Sequence, residues 1–139
     1  MNIEELAPIR FPLVNRFFKN NKHKGKAKGN ERVFVLKNDQ GDILAALRAC
    51  PKSQGYLLRS VQVDQQHYRQ GLGALLVKET ARLLQPEPCW CYPLSHLRSF
   101  YESCGFQVSD TKQVKDDIRI PFLRYIQQRK KLLLMNNIH

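Results

Sequence analysis

The residues best suited to chemistry lie in one run, Ser60-Val61-Gln62-Val63-Asp64-Gln65-Gln66-His67-Tyr68-Arg69-Gln70-Gly71-Leu72-Gly73-Ala74-Leu75-Leu76. An apolar stretch closes in Val-x-Val, a polar turn follows, and Gly-x-Gly opens an apolar periodic segment. That order reads as strand, turn and helix N-terminus. The first turn of a helix leaves backbone N–H groups unpaired at the positive end of the macrodipole, so it holds anions. Glycines at the entry let backbone approach a phosphate with no Cβ in the way. The chemistry this spacing suits is retention of a phosphorylated cofactor. It is not a P-loop, because Gly73 is followed by Ala74-Leu75 rather than Lys-Ser/Thr. It is not a dinucleotide fingerprint, because Leu76 stands where a third glycine belongs and the turn from Asp64 to Gln70 is too long.

Two arginines interrupt otherwise apolar strands, Arg48 after Ile43-Leu44-Ala45-Ala46-Leu47 and Arg59 after Tyr56-Leu57-Leu58. A charged side chain on a central strand is costly unless paired. Each arginine either clamps a carboxylate or phosphate of a substrate, or is a strand-end residue that snorkels to solvent or pairs with a protein Asp or Glu. By simple alternation, Arg59, Val61 and Val63 share one face. The cysteines are Cys50, Cys89, Cys91 and Cys104, and Cys89-Trp90-Cys91 puts two sulfurs on one side of a strand. No second C-x-x-C or histidine pair completes a zinc set, so they read as small buried apolar residues and no metal is expected. No carboxylate lies between Gly55 and Val63. His67, His96 and Glu102 are weak substitutes for a general base, each by itself reading as a surface or packing residue, and a water chain or a partner that arrives neutral is equally allowed.

The elements that must position these residues follow from pattern. Pro12 to about Phe18 reads as a helix, and residues 19–30 as a mobile Lys/Asn/Gly loop. Arg32 to Lys37 and Ile43 to Cys50 are strands joined by the turn Asn38-Asp39-Gln40-Gly41-Asp42. Gly55 to Val63 is a third strand, apolar enough to be buried on both faces. Gly71 to Leu84 is an amphipathic helix, ended by Pro86 and Pro88. Pro88 to Tyr92 is a short strand, Leu94 to Cys104 a helix closed by Gly105, and Phe106 to Val108 a strand. Pro121 to Gln128 reads as a short helix and Lys131 to Met135 as a last strand; at the front, Ile3 to Leu6 is at best a short strand.

The chain has 139 residues with 42% apolar content, the size of one domain with a substantial core. Twenty-three Lys/Arg against twelve Asp/Glu give a net charge of +11, which favours an anionic partner. Part of that excess is local, in Lys19, Lys22, Lys24, Lys26 and Lys28. No apolar run approaches a membrane span and no secretory signal is visible, so a cytoplasmic protein is expected.

Two motifs in this order resemble the GNAT acetyltransferase superfamily. The Val-x-Val strand end with Gln70-Gly71-Leu72-Gly73-Ala74 resembles its motif A, with Tyr68 where the family usually has Arg or Gln and Arg69 one place later. Phe100-Tyr101-Glu102-Ser103-Cys104-Gly105-Phe106 resembles its Tyr-x-x-x-Gly-Phe signature. The resemblance covers about Arg32 to Val108. It implies a single α/β (α+β layered) domain over residues 1–139: a mixed central sheet flanked by helices and splayed between the motif A strand and the next. It implies acetyl-CoA as co-substrate of an N-acetyltransferase acting on a small-molecule or peptide amine. Backbone of Val61, Gln62 and Val63 would pair with the pantetheine. The turn of Tyr68, Arg69, Gln70, Gly71, Leu72, Gly73 and Ala74 would hold the pyrophosphate, and Tyr101 would protonate the leaving thiolate. Arg59 and Arg48 are the candidate acceptor-binding residues. Two rivals stand beside this reading. One is a CoA-binding regulator that kept the fold without turnover. The other is a nucleic-acid- or ribosome-associated protein using Lys19–Lys28. The chain is expected to be a monomer or homodimer.

Overall fold

In the computed structural model, which describes residues 1–138, seven strands form one mixed sheet in the order β1-β2-β3-β4-β5-β7-β6. Strands β1 (Asn2–Leu6), β2 (Arg32–Lys37), β3 (Ile43–Lys52) and β4 (Gly55–Val63) run antiparallel to their neighbours. Strand β5 (Cys89–Cys91) is parallel to β4, and β7 (Met135–Asn136) lies antiparallel between β5 and β6 (Gln107–Val108). Helices α1 (Phe11–Asn20) and α4 (Asp116–Gln127) cover one face, and α2 (Leu72–Leu84) and α3 (Arg98–Ser103) cover the other. The mixed layer expected from the sequence is the fold observed.

Strand alternation sorts the core into these layers. Phe34, Leu36, Ala45, Leu47, Leu58, Cys89 and Cys91 face α2 and α3. Val33, Val35 and Ala46 face α1, while Leu57 and Trp90 face α4. Helix α1 meets the sheet through Phe11, Val14, Phe17 and Phe18, whose spacing makes a single apolar stripe. Burying each such side chain is worth about 1.5–3 kcal/mol.

Some boundaries differ from the pattern. Strand β1 is a full edge strand, paired from Asn2↔Lys37 to Leu6↔Val33. Its period is masked by adjacent Glu4 and Glu5, which pair with Lys37 and Arg32. Helix α4 starts at Asp116 rather than Pro121, which sits inside it. The backbone N–H and hydroxyl of Ser53 donate to the Asp117 carboxylate at 2.7 and 2.9 Å, anchoring a first turn whose two acids suit the helix dipole. Strand β7 starts at Met135, and Leu132 makes only a bridge to Leu94. The segment between α1 and β2 carries no helix or strand and makes contacts on its inner side. Ala27 N–H donates to Asn15 Oδ1 at 2.8 Å, Gln65 N–H to Asn21 Oδ1 at 3.1 Å, and the His23 ring packs edge-on to Phe18 at 5.3 Å.

Strand β4 carries the feature that matters most. Ser60 has φ +58, and the register passes from Ala46↔Gln62 to Arg48↔Arg59, so β4 has one more residue than β3 there. This is a β-bulge, which bends a strand and increases its twist. It also reverses side-chain parity. Leu58 faces α2, Leu57 and Arg59 face the other way, and Val61 and Val63 face α2 again. The expectation that Arg59, Val61 and Val63 share a face is therefore overturned, because alternation holds only for an uninterrupted strand. Arg48 holds the bulge: its Nε donates to Ser60 Oγ at 2.9 Å, and its Nη1 donates to Glu31 at 2.9 and 3.1 Å. The side chains of Arg48 and Glu31 are 10% and 8% exposed, so this is a buried pair.

Arg48→Leu strands the buried Glu31 carboxylate and should destabilise the fold by about 3–5 kcal/mol, the cost of breaking rather than replacing a buried pair. Urea unfolding measures it. The double variant Arg48→Leu/Glu31→Leu should recover most of the loss.

Candidate functional site

Strands β4 and β5 pair only at Tyr56↔Cys89 and Leu57↔Trp90. The bulge bends β4 away, and β5 ends two residues before Pro93, so the β5-facing edge of β4 is open from Leu58 onward. On the α2 side the gap widens into a cavity of about 520 Å³. Its walls are Val61, Gln62 and Val63 of β4, the turn with His67, Tyr68, Arg69 and Gly71, the α2 start with Leu72, Gly73 and Ala74, and Leu97, Phe100 and Tyr101. Gln70 is exposed and lies outside this lining.

The turn is shaped to offer backbone donors. Arg69 and Gly71 both take positive φ, +66 and +75, and the first bond of α2 runs from Leu75 N–H to Gly71 O at 3.1 Å. Among the described residues, no N–H from Arg69 through Ala74 donates to a protein acceptor. Successive unpaired N–H groups in such a turn form an anion-binding concavity, and no acidic side chain occupies the first turn of α2 to compete for it. Gly73 borders the cavity floor: a Cβ there would lie 3.4 Å from Phe100 Cζ and 3.5 Å from Val63 Cγ2. These features fit a phosphorylated pantetheine thioester. The turn offers anion donors, the open strand edge offers pairing groups, and Arg69 adds charge.

Tyr101 stands at the inner end. Helix α3 closes in a Schellman cap, with Phe106 N–H donating to Tyr101 O and Gly105 N–H to Glu102 O, each at 3.0 Å, and Gly105 at φ +93. The Phe100 and Phe106 rings pack against that of Tyr101 at 5.0 and 5.9 Å, so its orientation is set on two sides. Burial, with Cys91 and Cys104 nearby, pushes its phenol up, and the residue is 7% exposed. A phenol so shifted keeps its proton at neutral pH.

Tyr101 and Val61 also line a second cavity, of about 350 Å³, on the other side of the gap. Arg59, Tyr92, Tyr125 and Lys130 contribute its polar surface. Arg59 Nη2 donates to the Tyr125 hydroxyl at 2.7 Å, and Lys130 Nζ lies 4.9 Å from the centre of that ring. The Tyr92 hydroxyl donates to Ile118 O at 2.6 Å. Arg48 does not reach this cavity; its guanidinium is engaged by Glu31 and Ser60.

No carboxylate or imidazole lines the second cavity among the described residues. His67 lies in the first, with Nδ1 2.7 Å from Asp64 Oδ2. His96 is exposed and lines neither cavity, and Glu102 pairs with Arg98 at 3.3 Å. The four cysteines are free thiols, and burial pushes Cys89 up to about 12. Among the described residues, no group of three or more His, Cys, Asp or Glu could hold a metal, and no helix is long and apolar enough to cross a membrane. Leu97, Phe100, Tyr92, Tyr125 and Lys130 were not singled out as site residues from sequence. The first two flank a recognised motif; the last two belong to the C-terminal segment, outside both motifs.

A sequence model of the acetyltransferase (GNAT) domain matches residues 29–108, more than half of the chain. No curated protein matches the sequence. Among solved structures, the fold is similar to Mycobacterium tuberculosis Rv2747 in complex with CoA and a second ligand. That match has a TM-score of 0.72 and 15% identity, covering 100% of this chain and 99% of that one. It is similar to the Escherichia coli ribosomal-protein-S18-alanine N-acetyltransferase, with a TM-score of 0.64 and 17% identity over 97% of this chain and 91% of that one. It is also similar to the Neisseria gonorrhoeae N-acetylglutamate synthase complexed with coenzyme A and N-acetyl-glutamate, with a TM-score of 0.66 and 11% identity over 98% of this chain. The chain spans 35% of that synthase's length.

Gly73→Asp puts a side chain and a negative charge at the cavity floor beside the unpaired N–H groups. It should weaken binding of a CoA thioester by at least about a hundredfold, the scale of losing a charge-assisted contact and gaining a like-charge clash. Calorimetry with a cooperative melt as fold control reads this; wild-type affinity would move the ligand elsewhere.

Proposed function

The chain belongs to the GNAT acetyltransferase family, and we propose that it transfers an acetyl group from acetyl-CoA to a primary amine by direct attack on the thioester. One observation carries this reading. The cavity beneath the phosphate-type turn and the cavity holding Arg59 meet at Val61 and Tyr101, and nowhere else do their linings coincide. A cofactor entering from one side and an acceptor from the other would react there.

Acetyl-CoA supplies an activated acyl carbonyl and a thiolate leaving group. The N–H groups from Arg69 to Ala74 bind the pyrophosphate, and Arg69 screens its charge. The open edge of β4 at Val61–Val63 pairs with the pantetheine as an added strand would. A backbone N–H of this edge polarises the carbonyl and stabilises developing oxyanion charge. The acceptor nitrogen forms the new C–N bond as C–S breaks, Tyr101 passes its phenolic proton to sulfur, the amine proton leaves to water, and Tyr101 regains a proton from that water to close the cycle. With no carboxylate or imidazole lining the acceptor cavity, the amine arrives neutral or loses its proton through solvent.

Arg59 is the group that selects the acceptor. Tyr125 orients its guanidinium, and it has no carboxylate partner within the described residues. It is therefore suited to an anionic group carried beside the acceptor amine.

Tyr101→Phe keeps the packing and removes the proton donor. It should lower kcat about 10²–10⁴-fold while leaving CoA affinity near wild type. An unchanged kcat with chemistry rate-limiting would assign Tyr101 to the core. Arg59→Ala should raise the acceptor KM by about tenfold or more without moving CoA affinity, and Arg59→Lys should rescue poorly, since lysine lacks the planar fork. Steady-state kinetics with acetyl-CoA against amino acids, polyamines, aminoglycosides and peptides supplies both readouts.

A further inference from the structure

A third cavity, of about 500 Å³, opens beside the acceptor cavity, and Arg59 lines both. Its walls carry Lys24, Lys26 and Lys28 from the segment before β2, Lys52 from β3, and Arg59 from β4. None of these five cations has an ion-pair partner among the described residues. The one carboxylate in the wall, Glu31, is held by Arg48 at 2.9 Å and by the Lys28 N–H at 3.0 Å. Five unneutralised cations around one groove repel one another, and an anionic ligand relieves that cost.

The lysines are displayed by structure, not scattered on a free loop. Lys24, Lys26 and Lys28 are exposed, while His23, Gly25 and Ala27 between and beside them are half-buried. A Cβ at Gly25 would overlap Ser60 Oγ and the His23 ring, so the backbone lies flat on the bulge of β4. Ala27 N–H is fixed to Asn15. Exposure thus alternates with a period of two, and along a strand-like chain alternate residues stand about 7 Å apart. That is also the spacing of alternate side chains in an extended peptide.

We propose that the acceptor is a peptide N-terminus followed within a few residues by Asp or Glu side chains. Its α-amine lies at Tyr101, its first carboxylate lies on Arg59, and its acidic continuation lies along Lys24, Lys26, Lys28 and Lys52. This rests on the acyltransferase reading and names its substrate class. A single-stranded nucleic acid is disfavoured on two grounds. The groove wall contains no aromatic side chain to stack a base. The exocyclic amines of bases, with lone pairs delocalised into the ring, are poor nucleophiles for the reaction next door. A peptide α-amine has neither handicap.

The test uses the full chain with three octapeptides of one N-terminal residue, differing only in having Glu, Gln or Lys at positions 2 to 5. Two signals are read: thiol release from acetyl-CoA, and binding of the fluorescently labelled peptides by anisotropy in 50 and 300 mM salt. The expected result is kcat/KM at least about tenfold higher for the Glu peptide than for the Gln peptide, with the advantage lost at high salt. The triple variant Lys24→Gln/Lys26→Gln/Lys28→Gln should remove most of that advantage at unchanged CoA affinity. Equal use of the three peptides, preference for the Lys peptide, or the Glu peptide failing to bind in either salt overturns the proposal. Tighter binding of an oligo(dT) strand, lost in the same triple variant, also overturns it. The two readings fail separately. Salt-sensitive binding of the Glu peptide with no thiol release from any amine supports the groove and sinks the transferase. Thiol release with an amino acid or polyamine and none with the Glu peptide does the reverse.

Discussion

The open sheet edge and the cavities beside it depend on one extra residue in β4 and the buried ion pair that holds it. Ser60 sits at φ +58, and a non-glycine residue in that region is stable only if its surroundings insist on it. Arg48 does so by donating to Ser60 Oγ, and Glu31 in turn fixes Arg48. The pair adds little net stability beyond what apolar residues of equal volume would supply. Its contribution is positional: it decides that the strand bends at residue 60 and not elsewhere.

From that bend the site follows by geometry. Bent β4 cannot keep its ladder with β5, so the sheet opens after two paired residues. The open edge faces the start of α2, whose turn displays unpaired N–H groups because Arg69 and Gly71 are both left-handed. The Schellman cap of α3 sets Tyr101 into the same gap. The parity change at the bulge also separates the two ligand sides. Val61 and Val63 face the turn before α2, and Arg59 faces away from it, so one strand lines the first cavity on one face and the second on the other; in the proposed reaction these take the cofactor and the acceptor.

Charge is distributed along the same axis. Around the first cavity the positive potential comes from backbone dipoles and Arg69. Around the second and third it comes from side chains, and the lysine-bearing segment is held over the bulge by Asn15, Asn21 and His23 contacts. The excess basic charge is thus concentrated partly beside the second cavity, where it can raise the local concentration of an anionic partner.

The sequence alone was enough for the family, the layered mixed sheet and the strand–turn–helix around Gly71 and Gly73. Each rests on contiguous residues: the Val-x-Val end, Gly71-x-Gly73 and Tyr101-x-x-x-Gly105-Phe106 are short-range patterns with a local physical meaning. The edge strand β1 was nearly invisible, because adjacent Glu4 and Glu5 break the two-residue period and only pairing with β2 supplies its hydrogen bonds. The true start of α4 was hidden by Pro121, because the helix is anchored from Ser53, sixty-four residues away from Asp117 in the chain. The decisive features were tertiary. Nothing in Arg59-Ser60-Val61 announces a bulge; it appears only when β4 is laid against β3 and Arg48 meets Glu31. Hence alternation put Arg59 on the wrong face and left Arg48 undecided between substrate and structure. Likewise Tyr92, Tyr125 and Lys130 join Arg59 only when α4 and the final segment fold back over the sheet, since a cavity between distant segments exists in packing and not in any window of sequence.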